Sequence, residues 1–303
     1  MVDQLCKPAV LVHGGAGSSR QADDGCARAA ASGMAQLRSS QGALEAVVAA
    51  VVAMEDDERF NAGTGSALAL DGVTIEMDAA IMDTRGRLGA VAALRAVKNP
   101  VLVARAVADT PHHFLCGEGA LLFARRLGHG AHDPATDTAR RRHAALLEKL
   151  HSAQQAMPGA SSEDFERFWN YTAPPGLRGT QACDTVGAVA RDGGGHFAVA
   201  GSTGGATPAL LGRVGDTPLV GSGFYAGPLG AIACTGIGEH ILRHLLAREV
   251  YGWIAEGMAL ADALQRGVDL FNPHIDIGLI AITKTDMASC SNRDMARAEV
   301  CDD

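Results

Sequence analysis

A threonine hydroxyl is a weak nucleophile unless a base lies next to it. One way to supply that base is to make the threonine the first residue of its chain, so that its own α-amine takes the proton. Such an amine titrates near ~7.7–8.0, and a useful fraction is neutral at physiological pH. Thr185 suits this chemistry: it follows the breaker Pro174-Pro175-Gly176 and opens the β-prone run Val186-Gly187-Ala188-Val189-Ala190. An internal threonine gains a free amine only when the bond before it is cut. The Asp184–Thr185 bond is therefore the candidate cleavage site, and a mobile segment ahead of it would let that bond distort without dismantling a core.

Other groups fall into place around it. If Gly193-Gly194-Gly195 form a three-residue hairpin loop, Thr185 faces Thr203 on the returning strand and a second hydroxyl lies next to the first; a loop of two or four residues moves the pairing by one position. The small-residue turns Gly201-Ser202-Thr203-Gly204-Gly205 and Thr235-Gly236-Ile237-Gly238 can aim N–H groups at a developing oxyanion. Between them, Arg213 and Asp216 sit three residues apart in a Gly-flanked loop. An amino-acid substrate presents a carboxylate and an ammonium close together; a guanidinium fork suits the first and a carboxylate the second.

The elements that must position these groups follow from hydrophobic periodicity. Ala9–Val12 is a short buried strand leading into His13-Gly14-Gly15-Ala16-Gly17. Helical spacing runs from Asp24 to about Leu37 and from Gly42 to Met54, with Ala43, Val47, Ala50, Val51 and Met54 on one face. Ser66–Leu70, an Asp71-Gly72 turn and Val73–Met82 read as a hairpin. Further helices begin at Asn99-Pro100 and Gly117. The stretch from about 129 to 184 changes character and reads, in part, as a linker. Beyond it come strands at 185–190 and 196–201, helices at 238–255 and 259–270, and a strand at 277–282. Strands near both ends of the chain with helices between them permit one layered α+β domain, residues 1–303, that crosses the linker; a two-domain reading split at the linker stays open, with each half then needing its own core.

Bulk properties narrow the function classes. Of 303 residues, 47% are hydrophobic and 20% charged, a mixture that supports a substantial core. The net charge of −8 argues against a nucleic-acid footprint or a polybasic membrane surface, and no apolar run reaches spanning length. Seven scattered cysteines without CxxC spacing read as reduced thiols, and the first eight residues lack a signal-like core, so the expected location is cytoplasmic. There is no HExxH, no GxxxxGK[ST] and no GxGxxG between a convincing strand and helix. Neither a catalytic metal nor a nucleotide is expected. His13 reads as hydrogen-bonded structure.

Seven ordered motifs then carry a family likeness: His13-Gly14-Gly15-Ala16-Gly17, Phe60-Asn61-Ala62-Gly63-x-Gly65, Met77-Asp78-Ala79, Asp184-Thr185-Val186-Gly187-Ala188-Val189-Ala190, Ser202-Thr203-Gly204-Gly205, Gly212-Arg213-Val214-Gly215-Asp216-Thr217-Pro218 and Thr235-Gly236-x-Gly238-Glu239. Together they resemble the plant-type asparaginase/isoaspartyl aminopeptidase family, related to the glycosylasparaginases. The likeness runs to about Met295 and weakens between Gly128 and Thr180. It implies a four-layer αββα sandwich of the N-terminal-nucleophile hydrolase type, self-cleaved into an α fragment, 1–184, and a β fragment, 185–303. It implies Thr185 as nucleophile, Thr203 in support, Thr235 and the Gly236 backbone at the oxyanion, Arg213, Asp216 and Gly238 on the substrate's α-groups, and Asn61 lining the site. The loop bearing Met54, Glu55, Asp57, Phe60, Ala62 and Thr64 resembles the family's sodium-binding loop, coordinated mainly by backbone carbonyls, so a structural sodium ion is implied. A small-molecule substrate and a homodimer of αβ units are implied as well. Two departures bear on substrate preference: Gly227-Pro228 stands where relatives carry Asp or Asn after Tyr-Ala, and Ser291–Met295 matches its motif loosely.

The activity implied is hydrolysis of L-asparagine or of β-aspartyl dipeptides, releasing L-aspartate. Two alternatives stay open at this point: hydrolysis of glycan-linked asparagine, and a homologue that binds without processing itself.

Overall fold

A computed structural model describes residues 6–151, 170 and 185–302. The first strand, β1 (Ala9–Ala16), is buried along its whole length. Its apolar run is continuous because both of its faces are covered: Ala9 and Leu11 point one way, Val10 and Val12 the other, into two separate apolar clusters. β1 pairs antiparallel with β5 (Val186–Arg191) on one side and with β11 (Met295–Cys301) on the other. The sheet continues from β5 to β6 (Phe197–Thr203), β2 (Met77–Asp83), β3 (Leu88–Leu94) and the short parallel β4 (Phe114–Cys116). A second, four-stranded antiparallel sheet has the order β10 (Met287–Ser291), β9 (Ile277–Thr283), β8 (Gly230–Gly236), β7 (Phe224–Gly227).

Three apolar clusters fix the stacking. Val10, Ala79, Ile81, Ala188 and Ala200, from one face of the seven-stranded sheet, pack with α1 (Asp23–Arg38), α2 (Ala43–Glu55), α3 (Pro100–Val107) and α4 (Gly117–Arg126). The opposite face contributes Leu11, Ala80, Val189, Phe197 and Val199, which meet Phe224, Ala233, Ile280 and Ile282 of the second sheet. Ile232, Cys234, Ile277 and Leu279 on the far side of that sheet pack with α6 (Gly238–His244), α7 (Leu246–Ala255) and α8 (Leu260–Asp269). The inter-sheet cluster holds many alanines, which lets two strand layers approach closely without large side chains between them.

Several expected elements change. The hairpin over 66–82 is reduced to its turn. Asp71 Oδ1 accepts from the N–H groups of Val73 and Thr74, donors a ladder would need, and regular strand begins only at Met77. The helix expected over 238–255 divides at Leu245, a left-handed residue with φ 49°, into α6 and α7. Within the segment read as a linker, Asp137–His151 forms the helix α5. Residues 152–169 and 171–184 of that linker, Asp184 among them, lie outside the described residues. Among the described residues, no helix is long and apolar enough to cross a membrane.

Candidate active site

The β5–β6 register decides the geometry of the site. Val186 pairs with Ser202 and Arg191 with Phe197, and the turn closes with the Gly195 N–H on the Asp192 carbonyl. Continued one residue, this register sets Thr185 opposite Thr203. The Thr185 hydroxyl donates to Thr203 Oγ1 at 3.3 Å, and both residues are buried. Thr203 Oγ1 also accepts from the Gly205 N–H at 3.1 Å, which holds its lone pairs toward Thr185 and the turn.

A third threonine arrives from the other sheet. Thr235, fully buried near the end of β8, donates from Oγ1 to the Thr185 carbonyl at 3.5 Å and accepts from the Ala16 N–H at 3.1 Å. The His13–Gly17 turn is thus tied to the same point. Gly236 follows with φ 136°, and a Cβ there would collide with the Asp276 carbonyl, so only glycine allows β8 to run this close to β9 at its end. Asn61 braces the turn after Thr203: its Nδ2 donates to the Gly205 carbonyl at 2.9 Å, and its Oδ1 accepts from the Ala67 N–H at 2.8 Å. A cavity of about 460 Å³ lies on the Asn61 side, with Ser18, Arg59, Leu68, Arg142 and Thr207 in its wall. The three threonines do not line it.

Arg213, Asp216 and Gly238 converge as a second group. A Cβ at Gly238 would lie 2.7 Å from Asp216 Oδ1 and 3.0 Å from Arg213 Nη2, so the missing side chain is what lets helix α6 start against both. Asp216 is buried, with Oδ2 unpartnered among the described residues, and desolvation pushes its pKa up to about 7 against the pull of Arg213. Asp78, opposite Thr203 on β2, accepts from the Ala93 N–H at 2.9 Å; burial raises its pKa to about 6, again opposed by Arg213. Arg213 is engaged by Glu239, with Nε to Oε1 at 2.8 Å and Nη2 to Oε2 at 2.7 Å. That bidentate pair was not legible from the sequence, although Glu239 lies within a quoted motif. Asp78 was likewise visible only as a motif residue, and its proximity to Arg213 arises from tertiary packing.

His13 is fully buried without a hydrogen bond of good geometry on either ring nitrogen. Desolvation lowers its pKa to about 3, partly offset by the Thr185 backbone, so the ring is neutral. It pairs across from Gly187, and a Cβ at Gly187 would strike Nε2. The glycine two residues after Thr185 therefore makes room for this imidazole, and His13 packs against β5, next to Thr185, rather than bonding as expected.

The six residues assigned to sodium span the last turn of α2, with Met54 and Glu55, and the loop after it, with Asp57, Phe60, Ala62 and Thr64. The carbonyls of Met54, Glu55 and Asp57 accept from the N–H groups of Asp57, Thr64 and Phe60. Glu55 is buried, takes the Val101 N–H on Oε1 at 3.0 Å and leaves Oε2 unpartnered; burial pushes its pKa up to about 8.

One of the two sequence departures lies away from this centre; the other borders it, since a Cβ at Gly278, the residue paired with Thr235, would meet Met295 Sδ, Thr235 Cγ2 and Ser291 Oγ. Gly227 pairs with Gly230 at the opposite end of β8 from Thr235, five residues and roughly 17 Å along the strand, and packs against Tyr251. Asn292 holds the start of β9 through the Ile277 N–H and the Ile275 carbonyl, so Ser291–Met295 acts on strand placement.

Comparison with known proteins agrees with this arrangement. A family model described as Asparaginase matches residues 6–302. A plant-type L-asparaginase of Pyrococcus abyssi is 39% identical over 289 residues, covering 92% of this chain and 90% of its own length. The isoaspartyl peptidase/L-asparaginases of Macaca fascicularis and Homo sapiens are 39% and 38% identical, each over 92% of this chain and 87% of theirs. With that match spanning the threonine cluster, the Arg213 loop and both sheets, the chain belongs to the asparaginase family.

Proposed function

We propose that this protein is a self-activating threonine amidohydrolase that acts on L-asparagine, on β-aspartyl dipeptides, or on both, and releases L-aspartate. The observation that carries this reading is the Thr185–Thr203 hydroxyl contact immediately before β5, with Thr235 at the Thr185 carbonyl. The names of the relatives point the same way.

In the maturation step, Thr185 Oγ attacks the Asp184 carbonyl carbon, the peptide C–N bond breaks, and water hydrolyses the resulting ester. This leaves fragments of 184 and 119 residues. In turnover, the free α-amine of Thr185 accepts the hydroxyl proton while Oγ attacks the side-chain amide carbon of the substrate. Thr235 Oγ1 and the Gly236 N–H stabilise the oxyanion, ammonia or the dipeptide's leaving amine departs with the proton, and water releases aspartate from the ester. Thr203 orients the nucleophile. Arg213 takes the α-carboxylate and Asp216 the α-ammonium, while Asn61 holds the Thr203 turn in place.

The architecture belongs with this reading as the four-layer αββα arrangement of N-terminal-nucleophile hydrolases, a single domain of two fragments, assembled as a homodimer and working in the cytoplasm. A structural sodium fits the 54–64 loop by its donors. Among the described residues, the carbonyls of Phe60, Ala62 and Thr64 accept no protein hydrogen bond, and uncharged oxygens of this kind suit a hard cation. Parallel assays of L-asparagine, a β-aspartyl dipeptide and glycosyl-asparagine test the proposal. Activity on the first or second supports it; activity confined to glycosyl-asparagine, or none in matured protein, overturns it.

A further inference from the structure

Glu239 is more than half exposed, yet its carboxylate makes two short bonds to a guanidinium that is only 17% exposed. The pair uses the side-on edge of Arg213, Nε and Nη2. The other edge, Nη1 and Nη2, passes over Gly215 and Gly238, where a Cβ would lie 2.8 Å from Nη1 and 3.0 Å from Nη2 respectively. Among the described residues no carboxylate bonds Nη1.

We infer that Glu239 is a positioning residue for substrate recognition: it holds Arg213 by one edge so that the other edge stays free for an α-carboxylate. This rests on the assignment of Arg213 as the carboxylate clamp. The competing arrangement explains why such a residue is needed. Two buried carboxylates, Asp78 and Asp216, act electrostatically on Arg213, and Asp216 Oδ2 has no partner among the described residues. Without Glu239, the guanidinium is drawn toward Asp216. That collapse would remove the cation for the substrate's carboxylate and the acceptor for its ammonium together. Glu239 sits on the first turn of α6, immediately after Gly238, so the start of one helix both opens the space and fixes the arginine.

The test compares matured wild-type, E239A, E239Q and R213A proteins on L-asparagine and on its α-carboxamide analogue, which has the same scissile amide but no α-carboxylate. The readout is the ratio of the two kcat/KM values, supported by a melting curve for each variant. R213A should collapse the ratio, which establishes the clamp. E239A should lower it by about tenfold or more, the scale of one charge-assisted hydrogen bond, mainly through KM for L-asparagine. E239Q, able to accept only one of the two bonds, should fall between. A general loss of stability would depress both substrates alike and leave the ratio in place. If R213A collapses the ratio and E239A leaves it at the wild-type value or raises it, the positioning role is wrong. If R213A leaves the ratio untouched, the clamp assignment fails first.

Discussion

Replacing Gly238 with alanine adds one methyl group at the point where the proposed clamp closes. The new Cβ would lie 2.7 Å from Asp216 Oδ1 and 3.0 Å from Arg213 Nη2, well inside ordinary van der Waals contact. Neither neighbour can yield freely: Asp216 is buried, and Arg213 is held by Glu239 on its other edge. Gly238 is the first residue of α6 and has no positive φ, so alanine is conformationally acceptable there and improves helix propensity by up to ~1 kcal/mol. Stability should therefore change little, because the steric cost and the propensity gain oppose each other. Recognition should suffer, since displacing Arg213 or Asp216 loses one or two charge-assisted hydrogen bonds of about 1.5–3 kcal/mol each, or roughly one to two powers of ten in kcat/KM per bond. Self-cleavage should continue, because the precursor's scissile bond offers no free α-carboxylate or α-ammonium. The assay is kcat/KM for L-asparagine, with thermal melting and a denaturing gel on the same preparation. A G238A protein that matures, melts normally and keeps wild-type kcat/KM would refute the convergence of Arg213, Asp216 and Gly238 on substrate.

Thr185→Ala should abolish cleavage and hydrolysis together, since one hydroxyl performs both, while Thr185→Ser keeps a measurable part of each; turnover by the alanine variant would place the nucleophile elsewhere. Asp216, with its pKa raised to about 7 by burial, makes activity and stability move in opposite directions. The native state holds that proton more tightly than the unfolded chain, so Asp216's contribution to stability is full below pH ~4 and is lost as pH rises through about 7. Binding of the α-ammonium needs the ionised form, so kcat/KM should climb through the same interval, and Asp216→Asn should remove that limb of the profile. A wild-type kcat/KM that is flat between pH 5 and 8 would count against Asp216 as the ammonium acceptor.

The parts of this site that could be read from sequence depend on local rules. Three successive glycines at 193–195 made a three-residue hairpin loop one of the choices, and the observed pairing takes it over loops of two or four residues, aligning Thr185 with Thr203, because register in a hairpin is set by the turn. Arg213 and Asp216 were visible for a similar reason, since a short Gly-flanked loop keeps them near each other. What stayed hidden depends on elements far apart in the chain. Glu239 reaches Arg213 across the gap between a loop and a helix start, and Ala16 reaches Thr235 across 219 residues. The hairpin expected at 66–82 failed because Asp71 offered its own side chain to the backbone, a competition that alternation of residue types does not register. His13 was read as bonded structure; the pairing across from Gly187 makes it a packing partner of β5, next to Thr185. The Gly227-Pro228 departure looked relevant to substrate choice until β8 carried it to the opposite end from Thr235.

Release of Thr185 as a new N-terminus is the claim on which the chemistry turns, and sequencing the purified protein from its N-termini tests it most directly. The account predicts two chains, of 184 and 119 residues, the smaller reading Thr-Val-Gly-Ala-Val-Ala. Fully active enzyme that remains a single chain of 303 residues would contradict it.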